Sequence, residues 1–153
     1  MCGIIGYTGK KDAATVLMGG LKRLEYRGYD SAGLAIVRNG SITSSKEPGK
    51  LQVLANELKH CPLKGNTGIG HSRWATHGIP NKINAHPHLS SSGKIAVVHN
   101  GIIENHQHLK RELLREGHAF VSDTDTEIIP NLIAKFYRGD LLEAVRRSVG
   151  LLR

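Results

Sequence analysis

Asn39-Gly40 stands between the apolar run Gly33-Leu-Ala-Ile-Val37 and Ser41-Ile-Thr43. A two-residue loop of this type needs positive φ at its centre, which Asn and Gly tolerate, and it joins antiparallel strands. The chain is thereby committed to an antiparallel hairpin, and the periods around it alternate. Ile4 to Tyr7 predicts a short buried strand, and Val16, Leu17, Gly20, Leu21 and Leu24 recur at helical spacing until Gly28. Lys50 to Leu58 predicts a second helix, and Thr67 to Arg73 a strand delivering polar residues at its end. Trp74 to Leu89 carries Gly78, Pro80 and Pro87 without a period, which predicts a long irregular loop and a candidate lid. Lys94 to His99 reads as a strand stopping at Asn100-Gly101, residues 105 to 116 as a helix closed by Gly117, and Phe120-Val121 as the start of another strand. Thr124 or Asp125 is expected to cap a helix through Ile128, Leu132 and Phe136, which Pro130 bends unless it falls in the first turn. A last helix from about Leu141 is still helical in pattern at Arg153. Hairpins alternating with helices predict mixed α and β layers, and a chain stopping inside a helix is expected to fall short of a domain boundary.

The 153 residues suit one domain with an ordinary core. Two cysteines, Cys2 and Cys61, and the lack of a charged-then-apolar leader argue against secretion and a disulfide framework. The apolar runs are too short for a membrane span. A reducing, cytoplasmic setting is expected. The 21 Lys+Arg against 13 Asp+Glu give a net charge of +8, but the charges are scattered singly or in pairs, with 5% aromatics to stack bases. A solvated basic surface is the better reading, with no nucleic-acid partner and no membrane. Among nine histidines, His86-x-His88, His99 and His106-x-His108 invite a metal, yet no Cys or Glu spacing completes a site, and no metal or cofactor is assigned.

Cys2 follows the initiator Met1, so trimming would make it the first residue. A free thiol titrates near pKa ~8.5 and an α-amine near ~7.7–8.0, so moving the proton between them costs only about 1 kcal/mol. A first-residue cysteine therefore carries nucleophile and base together.

Six segments have to be explained jointly: Cys2 to Gly6, Leu24 to Gly33, His71 to Gly78, Asn84 to His88, Val98 to Asn105 and Ser122 to Glu127. Together they resemble the glutaminase domain of class II glutamine amidotransferases, in order and spacing, from residue 2 to at least residue 137. Tyr29, where the purine branch has Gln, and the pattern Arg73-Trp-Ala-Thr-His-Gly78 point to the branch that aminates fructose-6-phosphate. The resemblance implies an α+β fold of the N-terminal-nucleophile (Ntn) hydrolase type, a four-layer αββα sandwich of antiparallel sheets. Residues 1–153 would be an incomplete glutaminase domain, without the sugar-phosphate isomerase domains that bind fructose-6-phosphate. Full-length members are expected to be homo-oligomers.

By the same resemblance Cys2 attacks the side-chain amide of L-glutamine, and the Asn100 side chain with the Gly101 backbone N–H forms the oxyanion hole. Arg73 grips the α-carboxylate, Asp125 accepts from the α-ammonium, Thr76 and His77 line the pocket, and Trp74 moves with a closing loop. Arg27, Gly28 and Asp30 to Gly33 are expected to wall the site behind Cys2. The competing readings are a non-catalytic fragment acting as a binding module, and a basic nucleic-acid or metal-binding module; Arg73, Asp125 and Asn100-Gly101 serve an amino-acid amide and have no use for DNA.

Overall fold

The hairpin forms as expected, with Asn39 at φ 51° and Gly40 at φ 75° between β2 (Ser31–Arg38) and β3 (Ser41–Pro48). A computed structural model describes residues 2–74 and 78–153. β1 (Gly3–Thr8) and β4 (Thr67–Arg73) complete an antiparallel sheet in the order β1-β4-β2-β3. A second, two-stranded sheet pairs β5 (His88–Leu89) with β6 (Ala96–Val97).

Each sheet has its own helical cover. α1 (Ala13–Arg23) begins at Asp12, whose carboxylate accepts from the Thr15 N–H at 2.9 Å, and ends on Lys22 and Arg23, where cations suit the helix dipole. Its Ala13, Leu17 and Leu21, with Leu51 and Leu54 of α2 (Leu51–His60), pack on Ala32, Leu34 and Ile36 of β2 in one core. Tyr29 ties the start of α2 down, its hydroxyl accepting from the Leu51 N–H at 2.6 Å and donating to Glu25 at 2.5 Å. A second core joins Ile103, Leu109 and Leu113 of the following α3 (His106–Arg115), Ile128, Ile129, Leu132 and Ile133 of α4 (Ile128–Phe136) and Ala144 of α5 (Leu141–Val149), with Ile95 and, from β6, Val97 against it. Successive side chains alternate across a strand, so β2 and β4 turn their other face, with Ser31, Gly33, His71 and Arg73, toward His86 and the second sheet.

Gly33 sets how close those layers come. A Cβ there would collide with the carbonyl oxygen of His86 and stand 3.0 Å from that of Ser45, both backbone atoms that cannot swing aside. Gly33→Ala is therefore expected to cost about 2–3 kcal/mol by overpacking, read as a lowered urea midpoint; an unchanged midpoint would mean that the layers are free to part.

Several expectations are corrected. Phe120-Val121 forms no strand, because the Val121 and Ser122 N–H groups donate to the Glu127 carboxylate at 3.0 and 2.7 Å instead of to a ladder. The strand expected over 94–99 shrinks to Ala96–Val97. Neither Thr124 nor Asp125 caps a helix through its side chain; the Thr124 hydroxyl meets His88 and Asp125 holds the Ile103 N–H, while residues Asp125–Glu127 form a 3-10 turn ahead of α4. Pro130 falls in the first turn of α4, where its missing N–H costs nothing. α5 stops at Val149, and the residues after it are pinned by Glu104 N–H to Arg153 C=O at 2.6 Å and Asn105 Nδ2 to Leu151 C=O at 2.8 Å. The irregular stretch after Trp74 is not all lid: Asn84 to His88 is buried and runs directly into β5. No helix among the described residues is long and apolar enough to cross a membrane.

Candidate active site

β1 pairs with β4 so that Gly3 stands opposite Ser72. This register sets Cys2, just ahead of β1, against the end of β4. The Trp74 N–H donates to Cys2 Sγ at 3.1 Å, and Sγ lies 3.7 Å from the Trp74 carbonyl oxygen. The half-buried thiol lines a cleft of about 400 Å³. Arg27, Arg73, Trp74, Asn100, Gly101 and Asp125 line the same cleft.

Arg73 ends β4 opposite Ser31 of β2 and is only 4% exposed, with Nη2 donating to the Gly78 carbonyl at 3.4 Å. Asp125 is buried too, and one carboxylate oxygen accepts from the Ile103 N–H at 2.7 Å, which fixes its orientation. A guanidinium and a carboxylate held on one cleft can bind the two termini of a free amino acid, and the guanidinium can grip a carboxylate through paired donors. Trp74 is 55% exposed, its ring beside Gly28, where an added Cβ would stand 3.3 Å from it and where φ is 71°. Thr76 and His77 lie outside the described residues.

Asn100 and Gly101 follow β6. Asn100 Oδ1 sits 2.7 Å from Nε2 of His71, a fully buried residue of β4. His71 Nδ1 in turn faces His86 Nδ1 at 3.1 Å, the two rings edge-to-face at 4.4 Å, and the His86 and His88 rings are packed likewise at 4.6 Å. His88 Nε2 meets the Thr124 hydroxyl at 2.9 Å. Burial lowers all three histidine pKa values: to about 4 in His71, against the opposing pull of its Asn100 bond; to about 3 in His88, where Lys46 adds to it; and further in His86, beside the other rings. A ladder of neutral imidazoles thus runs behind the cleft.

Sequence reasoning flagged the segments of this ladder without assigning it. The same holds for two further supports. Glu127 gathers the Val121 and Ser122 N–H groups and the Ser122 hydroxyl, closing the Ser122 to Glu127 loop that carries Asp125. Asn84, wholly buried, receives the Asp123 N–H at 3.0 Å and donates to the Ile79 carbonyl at 3.1 Å, tying the residues before β5 to that loop. The available signal was polarity inside apolar surroundings, since Asn and His within buried stretches need partners. Among the described residues, no group of three His, Cys, Asp or Glu side chains is arranged to hold a metal ion.

The family described as the glutamine amidotransferase domain matches residues 56–147. The chain is 59% identical, over its full length, to glutamine–fructose-6-phosphate aminotransferase (isomerizing) of Pyrococcus horikoshii, covering 26% of that protein. It is 58% identical over its full length to the same-named protein of Symbiobacterium thermophilum, covering 25%. The chain therefore spans about a quarter of the length of these curated relatives. Among solved structures it resembles glutamine phosphoribosylpyrophosphate amidotransferase from B. subtilis, solved with ADP and GMP, with TM-score 0.82, 27% identity, and coverage of 100% of this chain and 33% of that one. A structure titled as the allosteric regulatory enzyme of purine biosynthesis gives TM-score 0.84 at 28% identity, with the same coverage. The two helix-covered antiparallel sheets are those of the N-terminal-nucleophile α+β fold. With the matched family covering more than half of its residues, the chain belongs to the glutamine amidotransferase domain family.

Proposed function

We propose that this chain hydrolyses the side-chain amide of L-glutamine with Cys2 as nucleophile. The observation that carries the reading is the single cleft shared by Cys2, the Asn100-Gly101 pair, Arg73 and Asp125. Removal of Met1 frees the α-amine, which takes the thiol proton directly or through one water. The thiolate adds to the amide carbon, and the charge that develops on the oxygen is met by the Asn100 NH2 and the Gly101 N–H. Collapse breaks the carbon–nitrogen bond, and the nitrogen leaves as ammonia with the proton returned by the amine. Water then cleaves the glutamyl thioester to glutamate and restores Cys2. Arg73 holds the α-carboxylate and Asp125 the α-ammonium. In keeping with the names of the relatives, we propose that fructose-6-phosphate is the acceptor of the ammonia, at a site outside this chain. A thiol nucleophile also suits a reducing, cytoplasmic compartment.

The test is glutamate release from L-glutamine by the purified chain, with mass spectrometry to verify loss of Met1. Arg73→Lys separates this reading from a generic thiol hydrolase. Lysine lacks the paired donors, so kcat/KM should fall by about 100-fold, an interaction of about 2–3 kcal/mol, mostly through KM. Unchanged kinetics would remove Arg73 from the pocket, and no release from a folded, trimmed chain would leave it a binding module.

A further inference from the structure

We propose that His71 is a positioning residue for the oxyanion hole, holding the Asn100 amide so that its NH2 end, not its oxygen, faces the reacting carbonyl. This rests on the glutaminase reading above.

An asparagine amide has two ends of similar shape and opposite polarity. Turned one way, Asn100 donates to an oxyanion; turned the other, it aims a second oxygen at the same negative charge. Asn100 is exposed on the cleft, so packing does not select the orientation. Its Oδ1 lies 2.7 Å from His71 Nε2, and no other described residue bonds this side chain.

The imidazole tautomer is itself determined. A carbonyl oxygen cannot donate, so Nε2 carries the hydrogen, and a neutral imidazole has only one. His71 Nδ1 is then a bare acceptor for His86 Nδ1–H at 3.1 Å. That leaves His86 Nε2 without a hydrogen, in agreement with its burial there without a partner among the described residues, since a bare nitrogen is cheaper to bury than an unsatisfied N–H. Starting instead from that buried, partnerless Nε2, His86 holds its hydrogen on Nδ1 and donates it to His71 Nδ1, which puts the His71 hydrogen on Nε2, facing the Asn100 oxygen.

His71→Leu should lower kcat for glutamine by about 10- to 100-fold, a partial loss of an oxyanion donor, with KM held within about two-fold because Arg73 and Asp125 are untouched. Alkylation of Cys2 by iodoacetamide, which needs no oxyanion hole, should keep its rate. Two polar variants guard against a folding defect. The NH2 of His71→Gln reaches the place of Nε2–H and should restore most of kcat; the shorter His71→Asn fills the same buried site but falls short of Asn100 and should not. Equal kcat in the Gln and Asn variants, or a Leu variant with unchanged kcat, overturns the positioning role while leaving the glutaminase reading intact. A wild-type chain that is alkylated at Cys2 but releases no glutamate removes the glutaminase reading, and this inference with it.

Discussion

Cys2→Ala should release no glutamate from L-glutamine, a loss of about four orders of magnitude or more, as expected when a covalent nucleophile is deleted. The fold should survive. The thiol is only half-buried, and its described hydrogen bonds go to the Trp74 backbone at the end of β4, in neither core cluster. A melting temperature within about 2 °C of wild type, the shift of a surface substitution, together with absent turnover would isolate the chemistry from the scaffold. Blocking Met1 removal should give the same loss with the thiol still present, since an acylated amine is no base. Turnover close to wild type in Cys2→Ala would exclude it as the nucleophile, and turnover with Met1 retained would show that another group takes the proton.

The fold was legible where local chemistry dominates. Asn39-Gly40 specified the hairpin because its backbone needs are local, and the Leu17 and Leu21 stripe specified α1 because one helical face reports its own burial. Legibility failed where a partner distant in sequence supplies the bonds. Phe120-Val121 has strand composition, but the Val121 N–H is claimed by the Glu127 carboxylate, six residues on, and no ladder forms. Asp125 looks like a cap from its neighbours, yet its carboxylate serves the Ile103 N–H. The cleft residues themselves were reached through their motif context. An isolated Arg or Asp carries no mark of function, and the hydrogen bonds of His71, Asn84 and His86 reach partners 15 to 39 residues away that no spacing encodes.

Those buried histidines make the fold sensitive to acid. His71 and His88 are held at about 4 and about 3, and His86 is also lowered, against about 6.5 in an unfolded chain. The folded values are depressed, so below pH ~6.5 the unfolded chain binds protons that the folded chain refuses, and stability falls as pH falls. The loss continues until pH reaches the folded values and then levels off. Each group contributes at most about 1.4 kcal/mol per pH unit. All three act in the same direction, against the ~5–15 kcal/mol that holds a domain folded. Stability is therefore expected to fall from about pH 6.5 downward, before ordinary carboxylates are mostly protonated. Urea midpoints measured every half unit from pH 7.5 to 4.5 would trace the fall. His88→Gln, which can still reach the Thr124 hydroxyl but takes no proton, should flatten the slope by about one proton's worth. A midpoint constant to pH 4.5 would mean that these imidazoles accept protons in the folded chain, and that the ladder behind Asn100 is wetter than its burial indicates.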